Sequence, residues 1–163
     1  MLLRGRFALK DKPYSWVMYA FPWGKPGTEL VDYEGPDEWQ YGLLMDIENG
    51  LKTVNEVIQV ATMSGNGVGK SCLVAWLILW AMSTAQDTRG VVTANTDAQL
   101  RTKTWPELAK WHRLSLCKSW FKYEATSLSS IDKEHEKTWR FDMIPWSKAN
   151  PEAFAGLHNK GKR

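Results

Sequence analysis

The sequence predicts an α/β fold, and three observations predict it. A glycine-rich run, Ser64-Gly65-Asn66-Gly67-Val68-Gly69-Lys70-Ser71, lies between a short β-branched stretch and an apolar stretch of helix length. Runs of strand length alternate with helix-period segments on either side of it. With 163 residues, 44% of them hydrophobic, the chain is long enough to bury one core of ordinary size.

Taken in order, residues 1–35 are rich in Pro, Gly and aromatics, and Phe21-Pro22-Trp23-Gly24-Lys25-Pro26-Gly27 is too punctuated for regular structure, so an ordered leader at best is expected here. One α/β domain is expected to follow over 36–163. From Pro36 the pattern turns helical: Asp37 and Glu38 suit a helix N-terminus, Trp39, Leu43, Leu44, Ile47 and Leu51 share one face, and Gly50 ends or weakens the helix. Residues 57–62 (Val-Ile-Gln-Val-Ala-Thr) read as a buried parallel strand. The apolar run 72–82 reads as a buried helix reaching about residue 85. A polar connection at 86–90 leads to a second strand at 90–94.

Asn95, Thr96 and Asp97 are N-cap candidates for the next helix, which carries Leu100, Trp105, Leu108, Ala109 and Trp111 and must kink or divide at Pro106. Strands are predicted at 120–123 and 138–143, separated by a polar stretch over 127–137. Strands and helices alternating around a phosphate-binding loop argue for a P-loop fold with a mostly parallel sheet.

The glycine run carries the chemistry. A triphosphate is densely anionic, and a loop with glycines at 65, 67 and 69 turns its backbone N–H groups inward to cradle it. Lys70 supplies a point charge to the outer phosphates, and Ser71, opening the following helix, offers a hydroxyl to Mg²⁺. The positive end of that helix, continuing through Cys72, adds to the same site. Gly65, Asn66, Gly67, Val68, Gly69, Lys70, Ser71 and Cys72 are therefore the expected nucleotide-binding residues, with ATP and Mg²⁺ as ligands and Lys70 as the catalytic group. Ser64 stands where the motif asks for glycine.

Composition excludes little else. Net charge is +3, from 21 basic and 18 acidic residues, which permits a nucleic-acid partner without demanding one. The apolar run 72–82 is shorter than the roughly 20 residues of a membrane helix, and no secretory h-region precedes a cleavage site, so a cytoplasmic protein is expected. Cys72 and Cys117 lack metal spacing and read as reduced thiols. Most of the ten tryptophans read as core anchors. Arg101 and Lys103 offer a basic helical face to DNA or to solvent, and His112, His135 and His158 are too scattered for a metal site.

Beyond the loop, Phe21-Pro22-Trp23-Gly24, Gly35-Pro36-Asp37-Glu38-Trp39-Gln40, Thr93-Ala94-Asn95-Thr96, Lys103-Thr104-Trp105-Pro106-Glu107-Leu108 and Pro151-Glu152-Ala153-Phe154-Ala155-Gly156 occur in an order that resembles the large terminase subunit of tailed bacteriophages. The resemblance covers most of the chain. It implies an ATP-driven translocase of viral double-stranded DNA, working with a small terminase subunit and a portal protein in the host cytoplasm. It also implies an adenine-contacting role for Trp39-Gln40: an amide can pair with the base's edge and an aromatic ring can pack on it. Family members often carry an arginine finger within the loop, where this chain has Asn66 and Val68. If a finger exists another residue must bring it, and the sequence does not identify which.

Hydrolysis at such a site needs a carboxylate pair at the end of a second apolar strand, and no four apolar residues are followed by one. The nearest acids, Asp132, Glu134 and Glu136, follow Ser129-Ser130-Ile131. In the family that strand comes shortly after the segment like 151–156, so the fold is expected to be incomplete, to hold Mg-ATP without turning it over, and to leave strand edges unpaired. A helicase-like P-loop ATPase and an inactive prophage or gene fragment are the alternatives.

Overall fold

The computed structural model describes residues 8–53, 58–61, 67, 69–94 and 96–145. The first element is a helix within the expected leader, α1 (Pro13–Ala20), ahead of the punctuated stretch 21–27. Pro13 sits in its first turn, where a missing N–H costs nothing, and Pro13, Trp16, Val17 and Ala20 bury one face. Behind it, residues 21–36 fold back without regular structure, as the punctuation predicts. Gly24, at φ +62°, gives its N–H to the carbonyls of Leu30 and Tyr33. The indole of Trp23 donates to the Val17 carbonyl at 3.0 Å.

Helix α2 (Glu38–Gly50) opens on a capping box, in which the Gln40 side chain accepts the Asp37 backbone N–H at 2.9 Å and Asp37 reciprocates. Residues 58–61 follow without strand pairing, which corrects the expected strand over that stretch; Val57 and Thr62 lie outside the described residues. Helix α3 (Lys70–Thr84) is apolar on every side, and the fold buries it accordingly, with Leu73, Ala75, Trp76, Ile78, Leu79, Trp80 and Met82 in the core. It packs chiefly on α5 (Trp105–Leu114) and also on α1. Its C-terminal carbonyls are taken up by Thr84, Thr88 and the Trp139 indole: Thr84 Oγ1 bonds Trp80 O at 2.7 Å, Thr88 Oγ1 bonds Ala81 O at 3.0 Å, and Trp139 Nε1 bonds Met82 O at 2.9 Å.

The connection 85–88 reverses the chain into β1 (Arg89–Val92). Thr96 then caps a one-turn helix, α4 (Asp97–Gln99), its hydroxyl accepting the Gln99 N–H at 3.1 Å; Asn95 lies outside the described residues. A π-helical turn, Leu100–Thr104, joins α4 to α5. Pro106 explains it: proline offers no N–H to the turn before it and its ring crowds the preceding carbonyl, so the helix widens by a residue instead of breaking.

Three further strands, β2 (Phe121–Tyr123), β3 (Ser127–Ser130) and β4 (Arg140–Met143), complete a sheet of order β1-β4-β3-β2. The protein is therefore mixed α/β, but the expected mostly parallel sheet does not form. Only β1 and β4 run parallel; β4–β3 and β3–β2 are antiparallel. Their connections, 124–126 and 131–139, hold no crossover helix, and neighbours joined that way pair antiparallel. β3 also occupies part of the stretch read as a polar separator, its serines buried between neighbours.

One aromatic cluster binds the layers. Trp76 of α3 meets Trp111 of α5 edge-on at 5.0 Å, and Phe21 meets Trp111 at 4.8 Å and Trp16 at 5.7 Å. Residues 16–30 thus contribute Trp16, Val17, Ala20, Phe21 and Leu30 to the same core as α3 and α5. The outer edge of β1 carries no strand among the described residues. Nor is any helix among them long and apolar enough to cross a membrane.

Candidate nucleotide site

The expected phosphate loop meets α3 through Gly69, which stands at the N-cap in the left-handed region, φ +83°. Gly67 shares that conformation at φ +80°, so both of these glycines do what only glycine does without strain. The Gly69 carbonyl accepts the first helical bond, from Leu73 N at 3.0 Å, and also the Gln40 Nε2 donor at 3.2 Å. A Cβ on Gly69 would lie 2.7 Å from that Nε2 and 3.9 Å from the Trp39 ring. The two residues assigned to adenine thus pack directly against the end of the loop. Lys70 and Ser71 open α3, half-buried at its positive end. Ser64, Gly65, Asn66 and Val68, the rest of the expected loop, lie outside the described residues, as does the segment 151–156.

Gly67 and Gly69 border a cleft of about 450 Å³, within the range of small-molecule sites. Gln40 and Asp37 of the α2 capping box form one side and Cys72 and Trp76 of α3 its floor; Glu107, Lys110 and Trp111 of α5 face them, and Trp23, Tyr33 and Gly35 close it from the leader. Gln40 is only 4% exposed, and its amide is engaged inside the protein with Asp37 and Gly69. The indole of Trp111 donates to Glu107 Oε1 at 2.8 Å, and the Lys110 ammonium lies 5.4 Å from the Trp111 ring centre, a cation–π distance. The indole N–H of Trp76 is buried with no hydrogen-bond acceptor among the described residues, and its ring makes T-shaped contacts with Trp111 and Trp23. Burial, and then the charges of Glu107 and Asp37, push the Cys72 thiol pKa well upward against the opposing pull of Lys110, so Cys72 stays a neutral thiol.

The donors fit a nucleotide with its metal. Backbone N–H groups at left-handed glycines and a helix N-terminus suit phosphate. Ser71 supplies one oxygen of a kind Mg²⁺ accepts while keeping most of its ligands as water and phosphate. Among the described residues no group of three or more His, Cys, Asp or Glu side chains forms a separate metal site.

Asp132 and Glu134 lie elsewhere. They belong to the 131–139 connection, which leads into the start of β4, alongside the start of β1 at the C-terminal end of α3. His135 fixes that connection by binding Asp87, Nδ1 to Oδ1 at 2.6 Å, and Thr138 Oγ1 binds the same oxygen at 2.9 Å. A 15-residue helix separates this end from Lys70, about 22 Å at 1.5 Å per residue. Arg101 is exposed and paired with Asp97 at 2.7 Å, Lys103 is exposed, and Trp105 and Trp111 are core residues.

Sequence reading missed the α5 wall. Glu107, Lys110 and Trp111 fall three and four residues apart, the spacing of a shared helical face, but their approach to the loop is a tertiary fact. Compared with protein-family models, curated proteins and solved structures, the chain matches none of them.

Proposed function

We propose that this chain is the ATP-binding part of a phage terminase large subunit, the motor that drives viral double-stranded DNA into the capsid in the host cytoplasm with a small terminase subunit and a portal protein. The observation that carries the nucleotide site is Gly69: a left-handed glycine at the N-cap of α3, directly before Lys70 and Ser71, beside a cleft of nucleotide size. The order of sequence motifs supplies the motor and its partners. In this proposal Lys70 binds the outer phosphates, Ser71 the Mg²⁺, and Trp39 and Gln40 stand at the adenine end, where Gln40 reads the base only by exchanging one of its present partners. The P-loop class of fold also belongs to the proposal. Ile58 and Val60 share an apolar groove of about 470 Å³ with Val91 and Val92.

Replacing Lys70 tests the reading. Lys70→Ala removes the charge that meets the outer phosphates and should abolish Mg-ATP binding by calorimetry while leaving the far-UV circular dichroism spectrum unchanged. Unaltered affinity in the variant would sink it.

A further inference from the structure

Resting on the nucleotide reading above, we propose that Lys110 of α5 is a second cationic contact for the phosphate chain of the bound nucleotide, acting beside Lys70. Lys110 lines the same cleft as Gly67 and Gly69, and among the described residues that line it no other side chain is a lysine or arginine. Carboxylates of Glu29, Asp37 and Glu107 line it too. Each of these already has a partner inside the protein. Glu29 pairs with Arg113 at 2.8 Å, Asp37 accepts the Gln40 backbone N–H in the capping box, and Glu107 Oε1 accepts the Trp111 indole N–H at 2.8 Å.

Lys110 differs from them. It is half-buried, and its ammonium forms no ion pair among the described residues. That ammonium lies 5.4 Å from the centre of the Trp111 ring, which is held in place by T-shaped contacts with Phe21 and Trp76. A ring face offsets part of the charge and leaves the N–H donors of the ammonium for an anion. The charge of Lys110 also pulls the Cys72 thiol pKa downward, against the larger effects of burial and Glu107, so it is felt in the first turn of α3, directly after the loop. Glu107 acts on that turn with the opposite sign, and a phosphate chain arriving there gains from a cation on α5 as well as from Lys70. A purely structural role is the rival explanation: Lys110, three residues from Glu107 on one helical face, would do no more than offset that carboxylate.

Two variants of the full chain separate charge from shape. Lys110→Met keeps a long apolar stem against Trp111 and removes the ammonium, whereas Lys110→Arg keeps a charge. Calorimetry measures Mg-ATP and Mg-tripolyphosphate, the latter a phosphate chain without sugar or base. Lys110→Met should weaken both ligands about tenfold, and Lys110→Arg should stay within about threefold of wild type for both. A structural role would instead lower the melting temperature without ligand and leave the tripolyphosphate affinity alone. Wild-type affinity of Lys110→Met for both ligands, a loss confined to Mg-ATP, equal losses in the two variants, or a wild type that takes Mg-ATP but not Mg-tripolyphosphate overturns the phosphate contact. The nucleotide site still stands in each of these cases if Lys70→Ala abolishes Mg-ATP binding. Absence of Lys70-dependent binding overturns both.

Discussion

Gly69 is under two constraints at once, a positive φ and a side-chain neighbour already at contact. Alanine there would adopt the left-handed region at a cost of about 1–2 kcal/mol, and its methyl would displace the Gln40 amide, losing a bond worth about 1 kcal/mol. Gly69→Ala should therefore destabilise the fold by about 2–3 kcal/mol in urea. The two contributions are separable. In Gln40→Ala the obstructing amide is gone, so the double variant should be more stable than the sum of the single losses by about 1 kcal/mol, the φ strain remaining. Strict additivity would mean that Gln40 does not restrain the loop. Gln40 thus acts on the loop through the α2 capping box, whatever it also does to a base.

Among the elements, the 131–139 connection is tied to the α3–β1 turn by His135 and Asp87, the latter at φ +56°. Hydrogen bonding to Asp87, first, and then its charge raise the His135 pKa above the ordinary histidine value. A raised folded-state pKa contributes stability that is fully present below about pH 6.5 and is lost as pH rises through the folded value. The melting-temperature advantage of wild type over His135→Gln should accordingly be largest at about pH 5.5 and fade by about pH 8. Proton NMR should show His135 titrating above the ordinary value and His112, whose pKa burial lowers, below it. The same elements show what the sequence disclosed. Helix α3 is legible because no face of it is polar, and α2 because Asp37 and Glu38 suit its N-terminus and Leu43, Leu44 and Ile47 share one face. β3 is not, because Ser127, Ser129 and Ser130 are buried by their neighbours and carry no hydrophobic period. α1 is hidden by Pro13 and by aromatics that read as loop, though proline in a first turn is a helix signal. Gly67 and Gly69 could be singled out from spacing, whereas Glu107 and Lys110 enter the cleft only because Trp76 and Trp111 hold α5 against α3.

At the scale of the whole molecule, the cleft is lined by the leader, α2, the loop, α3 and α5, so a ligand bound there contacts most of what the aromatic cluster joins. Ligand that binds only the folded state adds about 2.7 kcal/mol at a hundredfold excess over Kd. For a chain of 163 residues this should raise the melting temperature by about 5–10 °C. Saturating Mg-ATP should produce that shift in wild type and none in Lys70→Ala. Asp132→Asn with Glu134→Gln should retain the full shift, because both carboxylates lie beyond the C-terminal end of α3, a helix length from Lys70. Scanning calorimetry of the three proteins with and without nucleotide decides the matter. A shift lost in the double variant would place the ligand at the 131–139 end of the sheet, against β1 and β4, and would remove the cleft beside Gly69 as the site.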